Sequence, residues 1–219
     1  MKYENLFKFI QECCISYNID ESHGLTHSKR CVKWVEKIIA HDPSVSDEEK
    51  NMAVYASAIH DMCDKKYTCP VQASNIISLW LLQQGWSINM TDSLIKIINS
   101  MSYTLLKNNM KDGNIVFPNH EKWQRVYNIV RHADLLDGYD VARCFIFTKR
   151  MEPRLSDKEC WSDVKKLFDV RIFKYVSDGW IDLPIAIQYA DIMHKIAQDA
   201  FITMRIVYAD ELPEQINNI

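Results

Sequence analysis

The chain has 219 residues, 47% of them hydrophobic and 25% charged, with a formal net charge of −3 and a pI near 6.2. That length and apolar content suit one domain with its own core, and the missing basic excess excludes a global field for wrapping nucleic acid. Seven cysteines with no CxxC exclude a disulfide framework and a zinc ribbon, and five glycines, none in GxGxxG or GxxxxGK[ST], exclude the dinucleotide fingerprint and the P-loop.

The N-terminal "MKYENLFKFIQECC" mixes charges into its apolar residues and lacks the unbroken apolar core of an export signal. The most apolar window, "NIISLWLLQQGW", is too short to cross a bilayer. A soluble cytoplasmic protein with reduced, mostly buried thiols is the expectation, with no membrane and no nucleic-acid partner.

In chain order the periodicity predicts helices. "YENLFKFIQECCISY" places Leu6, Phe7, Ile10, Cys13 and Cys14 on one face, and "HSKRCVKWVEKIIAH" does the same with Val32, Val35, Ile38 and Ile39. "SDEEKNMAVYASAIHDM" opens with Ser46 and Glu49 in capping-box register and leaves His60 and Asp61 near its other end. "TCPVQASNIISLWLLQQG" offers Thr68 as a cap, Pro70 in the first turn and Gly85 as a stop. "TDSLIKIINSMSY" and "HEKWQRVYNIVRHADLL" follow, flanking a polar loop, "LKNNMKDGNIVFPNHE". "DLPIAIQYADIMHKIAQDAFITMRIVY" starts with Asp182 and Pro184 in favoured entry positions, and a short polar tail, "DELPEQINNI", closes the chain. No run of alternating strand pattern interrupts the helices. The fold class expected is all-α: one domain over residues 1–219, with a core at about 20–150 and C-terminal helices at about 156–209.

A helical domain with few glycines builds its chemistry from side chains on facing helices. Metal-ligand residues recur at His27, at the dipeptide His60-Asp61 and at Asp134 in "RHADLLDGYD". Two imidazoles and two carboxylates suit manganese, iron or zinc, with magnesium admissible if more oxygen ligands join. Neighbours on a helix point about 100° apart, so His60 and Asp61 share one ion only if it sits astride the helix edge. A second dipeptide, His41-Asp42, precedes Pro43 and closes a helix, which marks it as a surface terminus. His120, His132 and His194 are expected to be exposed.

The order H…HD…D, carried by His27, His60, Asp61 and Asp134, resembles the HD-domain superfamily of metal-dependent phosphohydrolases. "SHGLTHSKRCV", "ASAIHDMCDKKY", "NSMSY", "IVRHADLLDGYDVARCF" and the late "KYVSDGWIDLPIAIQYADIMHKIAQDAF" look like successive blocks of its small stand-alone bacterial branch. The resemblance runs from about Asp20 to Phe201. It implies an HD-domain helical bundle and a divalent cation, manganese before magnesium, iron, zinc or nickel, held by His27, His60, Asp61 and Asp134. It further implies Asp64 and Lys66 as catalytic residues, Asp64 orienting or deprotonating a water and Lys66 stabilising phosphoryl charge. His23, Asp137 and Arg143 fall on the substrate side, Arg143 as a phosphate clamp or a brace for the ligand helix.

The implied activity is hydrolysis of a nucleotide by water activated at the metal, with triphosphate cleaved to monophosphate and pyrophosphate. Alternatives are a nucleoside monophosphate phosphatase, a cyclic-nucleotide phosphodiesterase and a non-catalytic metal and nucleotide sensor. The chain departs from the branch at Gly24, where an aspartate is usual, at His132, where an acidic residue is usual, and in the shortened turn from Gly138 to Arg143.

Overall fold

The computed structural model describes residues 3–207. The polar tail and the last two residues of the C-terminal helices expected at 156–209 lie outside them. The described residues are helical almost throughout, and their one β feature is an isolated antiparallel bridge between Lys111 and Asn114. The all-α expectation holds. None of the described helices is long and apolar enough to cross a membrane.

The chain divides into two compact units between Asp137 and Gly138, inside the 20–150 core that the sequence suggests. The first contains α1 (Glu4–Tyr17), α2 (Leu25–Ile39), α3 (Asp47–Ile59), α4 (Pro70–Gln83), α5 (Ile88–Asn99), α6 (Tyr103–Asn108) and α7 (Gln124–Asp137). At its centre α3 packs against α1, α2, α5 and α7. Met52, Ala53, Val54, Ala56, Ala58 and Ile59 are all buried, so α3 is covered nearly all round. Its alanines carry no bulk to hold the neighbours away, which lets α2 and α7 approach both it and each other.

Local signals explain most boundaries. Ser46 and Glu49 form the expected capping box, with Ser46 Oγ accepting from Glu49 N at 3.2 Å. Pro70 starts α4, but the residue before it, Cys69, occupies the cap without a side-chain bond. Thr68 instead donates to the Met62 carbonyl oxygen at 3.4 Å, which corrects its assignment as a cap. Gly85 closes α4 at φ +86°, a conformation that favours glycine. The helix expected at Thr91 begins earlier, capped by Ser87, and ends at Asn99; Ser102 then caps α6, which takes up the first residues of the expected loop. In α1 Phe9 rather than Phe7 enters the core, stacking on Trp80 with ring centroids 4.2 Å apart.

The second unit contains α8 (Val141–Met151), α9 (Asp157–Val170) and α10 (Pro184–Val207). Phe168 is its aromatic centre, edge-on to Phe173 at 5.3 Å and to Phe201 at 5.0 Å. His194 is half-buried and stacks on Phe173 at 4.1 Å, so it is a packing residue and not the exposed one expected.

Candidate metal centre

The buried face of α2 repeats at three- and four-residue steps, and it carries His27 in line with Cys31, Val35 and Ile38. The side chain of His27 is therefore directed inward by the hydrophobic pattern itself, and the residue is 0% exposed. From α7, Asp134 and Asp137 lie one turn apart on a common face.

The remaining pair comes from the end of α3. At His60 the helix tightens into a 3₁₀ turn, His60–Cys63. With about three residues per turn, successive side chains diverge by roughly 120° and flank a shared axis. His60 Nε2 and Asp61 Oδ1 nevertheless stand 3.4 Å apart.

Asp61 and Asp134 both approach the two imidazoles. His27 Nε2 is 3.1 Å from Asp61 Oδ2, 3.5 Å from Asp134 Oδ1 and 3.4 Å from His60 Nε2, and His60 Nε2 is 3.4 Å from Asp134 Oδ1. Proton positions follow from the outer contacts. His27 Nδ1 is 2.6 Å from Asp137 Oδ2, and His60 Nδ1 is 2.8 Å from the carbonyl oxygen of Ser57. A carboxylate and a carbonyl have no proton to give, so each ring donates from Nδ1 and, when neutral, turns an Nε2 lone pair toward the centre. Asp61 Oδ2 adds another, being buried with no hydrogen-bond partner among the described residues.

Lone pairs gathered this closely repel unless protons or a cation lie among them. The pKa values state the same physics. Burial alone would depress His60, but Asp61 and then Asp134 outweigh it and push His60 up to about 10. Burial opposes ionisation of Asp61 too, yet His60, then His23 and His27, hold its carboxyl well below the usual carboxylate range. The arrangement is thus electrostatically starved of positive charge. Ligands about 2.0–2.2 Å from one ion sit roughly 2.8–3.6 Å apart, which brackets the separations among His27, His60 and Asp134 and those of Asp61 from the two imidazoles. The nitrogen and oxygen donor set fits a divalent ion of borderline hardness.

Asp137 does not stand on the substrate side that the resemblance implies. It is 2% exposed, with one oxygen on His27 Nδ1 and with Arg30 Nε and Nη2 at 2.7 and 3.1 Å. It is a brace that fixes the tautomer and orientation of His27. His27, Cys31 and Asp137 form another compact donor group, but the Arg30 guanidinium already supplies its positive charge.

His23 precedes α2, so His23 and His27 are not a pair on one helix; their ring centroids are 6.2 Å apart. Gly24 caps α2 at its start. A Cβ there would lie 2.9 Å from the Asp20 carbonyl oxygen, so the aspartate usual in the branch does not fit this turn. Asp64 and Lys66 pair with each other, Lys66 Nζ 3.3 Å from Asp64 Oδ2 and the Lys66 N–H donating to Asp64 Oδ1 at 2.8 Å. Arg143 belongs to the second unit, where its N–H donates to the Asp140 cap at 3.0 Å. His132 is 1% exposed, with Nδ1 on the Asn128 carbonyl, and His120 is half-buried against Tyr127 at 4.7 Å; neither is the exposed residue expected. A cavity of about 490 Å³ beside α6 has no imidazole or carboxylate in its lining and offers no rival centre.

No family model, no curated protein and no solved structure matches this chain.

Proposed function

We propose that the protein is a divalent-metal-dependent phosphohydrolase that acts on a nucleotide. The observation that carries this reading is the compact donor group of His27, His60 and Asp134, with Asp61 against both imidazoles and both imidazole Nδ1 atoms committed outward. A divalent cation there would acidify water and withdraw charge from phosphoryl oxygens.

The protein's own contribution is placement. Asp137 and the Ser57 carbonyl hold the two rings in the tautomer that suits ligation. Asp61 and Asp134 balance the cation's charge. His27, His60 and Asp61 are buried, whereas the Asp134 side chain is 29% exposed, so a substrate arrives on the Asp134 side. In the turn after Asp61, Asp64 supplies a carboxylate that orients water and accepts its proton, and Lys66 an ammonium for phosphoryl charge. In the triphosphate version the water oxygen bonds to the α-phosphorus, the bond to the bridging oxygen breaks, and pyrophosphate leaves.

Metal analysis of the purified chain and a manganese-dependent assay over nucleoside mono- and triphosphates and cyclic dinucleotides test the proposal, with Asp61→Ala as control. Pyrophosphate released by the parent and not by the variant is the expected result. Turnover of monophosphates or cyclic dinucleotides alone moves the substrate assignment. Metal without turnover identifies a sensor, and absence of metal from both proteins overturns the proposal.

A further inference from the structure

Beside the ligand set, Asp20, Ser22, His23 and Tyr67 form a hydrogen-bonded cluster. Asp20 Oδ1 accepts from the Ser22 N–H at 2.8 Å and from the Ser22 hydroxyl, and Asp20 Oδ2 accepts from the Tyr67 hydroxyl at 2.9 Å. His23 Nδ1 lies 2.7 Å from Ser22 Oγ and 3.1 Å from the Tyr67 oxygen.

Counting protons decides the direction of the last two contacts. A hydroxyl has one proton, and both hydroxyl protons point at the Asp20 carboxylate. Burial opposes ionisation of Asp20, but Ser22 and then Tyr67 lower its pKa, so the carboxylate has no proton to return. Burial, and then the bond to Asp20, keep the Tyr67 phenol protonated. Toward His23 both oxygens can only accept, so His23 must donate from Nδ1. Its Nε2 then carries the lone pair of the neutral ring. That ring is 8% exposed and sits 6.2 Å from the His27 ring, beside the ligand set.

We infer that Asp20, acting through Ser22 and Tyr67, fixes His23 as its Nδ1–H tautomer, so that Nε2 accepts a hydrogen bond from the attacking water. Asp20, Ser22 and Tyr67 are positioning residues. The role of the water rests on the phosphohydrolase reading; the tautomer does not. A chain with Asn at position 20 offers the hydroxyls a weaker, partly donating partner, which frees a hydroxyl proton to turn onto Nδ1 and drives the ring proton to Nε2.

Two-bond ¹H–¹⁵N correlation spectra of the full zinc-loaded chain at pH 8 read the tautomer directly. The expected result is Nδ1–H at His23 in the parent and in Tyr67→Phe, and Nε2–H in Asp20→Asn. With manganese, Asp20→Asn is expected to retain its metal and KM while kcat falls about tenfold or more. If Asp20→Asn does not fold, the Ser22→Ala/Tyr67→Phe double variant replaces it, because it strips Nδ1 of both acceptors. Nε2–H in the parent, an unchanged tautomer in Asp20→Asn or in the double variant that replaces it, or a changed tautomer with unchanged kcat overturns the inference. A parent with the Nδ1–H tautomer that binds metal but hydrolyses no nucleotide overturns the phosphohydrolase reading, and with it the water's role, while the tautomer assignment survives.

Discussion

Oδ2 of Asp137 lies 2.6 Å from Nδ1 of His27, across 110 residues of chain. The contact orients His27 from the far side, and Arg30 in turn holds the carboxylate on both of its oxygens. In Asp137→Asn the side chain keeps its shape but loses the charge that faces the ring. Metal affinity is expected to fall about 10- to 100-fold, read by competition against a chromophoric chelator. Unchanged affinity would show that His27 needs no brace.

His27→Ala removes a donor from the centre of the set and is expected to abolish metal retention through gel filtration. His23→Ala leaves all four ligands and both outer bonds in place, so elemental analysis should find metal at the parent's stoichiometry. Loss of metal from both variants would contradict the separation of their roles.

Chelation should soften the fold without unfolding it. Burial of side chains such as Leu6, Ile10, Met52, Ile59 and Leu94 contributes about 1.5–3 kcal/mol each, independently of any ion. A cation at a hundred times its Kd adds about 2.7 kcal/mol, or roughly 5–10 °C in Tm. EDTA is expected to leave the helical circular dichroism intact, lower Tm by that amount, and have no effect on Asp61→Ala. A chelator-insensitive parent would mean that no ion is bound.

The thiols should divide sharply. Burial, reinforced by neighbouring Cys14, pushes Cys13 up to about 12, and burial pushes Cys14 up to about 11. Thiolate is the reactive form, so at pH 8 only about one part in 10³–10⁴ of these groups is competent. Cys69 is exposed. Timed alkylation followed by peptide mass spectrometry should label Cys69 first, with Cys13 and Cys14 silent until the pH nears 11 or the chain unfolds.

What was legible in the sequence was local. The Ser46 box is written in four consecutive residues, and the inward face of α2 in its own periodicity. The cap of α4 slipped by one residue because threonine is the better capping type, while Pro70, fixed at the first helical position, hands the cap to Cys69. His132 looked exposed because a lone polar residue usually is, but α7 is buried nearly all round. The ligand letters stood out as a pattern, whereas the groups that orient them did not. Arg30 lies one turn beyond His27 and could have been found from that spacing, with Asp137 as its partner only once α2 and α7 are packed. Tyr67 and Asp20 are 47 residues apart, and nothing in either neighbourhood announces their bond.

The order of His27, His60, Asp61 and Asp134 along the chain bears on biosynthesis. His27, His60 and Asp61 all leave the ribosome well before Asp134, and α7 must then dock on α2 and α3 before its carboxylate reaches them. A nascent chain carries an incomplete donor set throughout that interval. A cation held by all four residues would therefore be acquired only once α7 has docked, as a late guest of the scaffold and not as a template for its assembly.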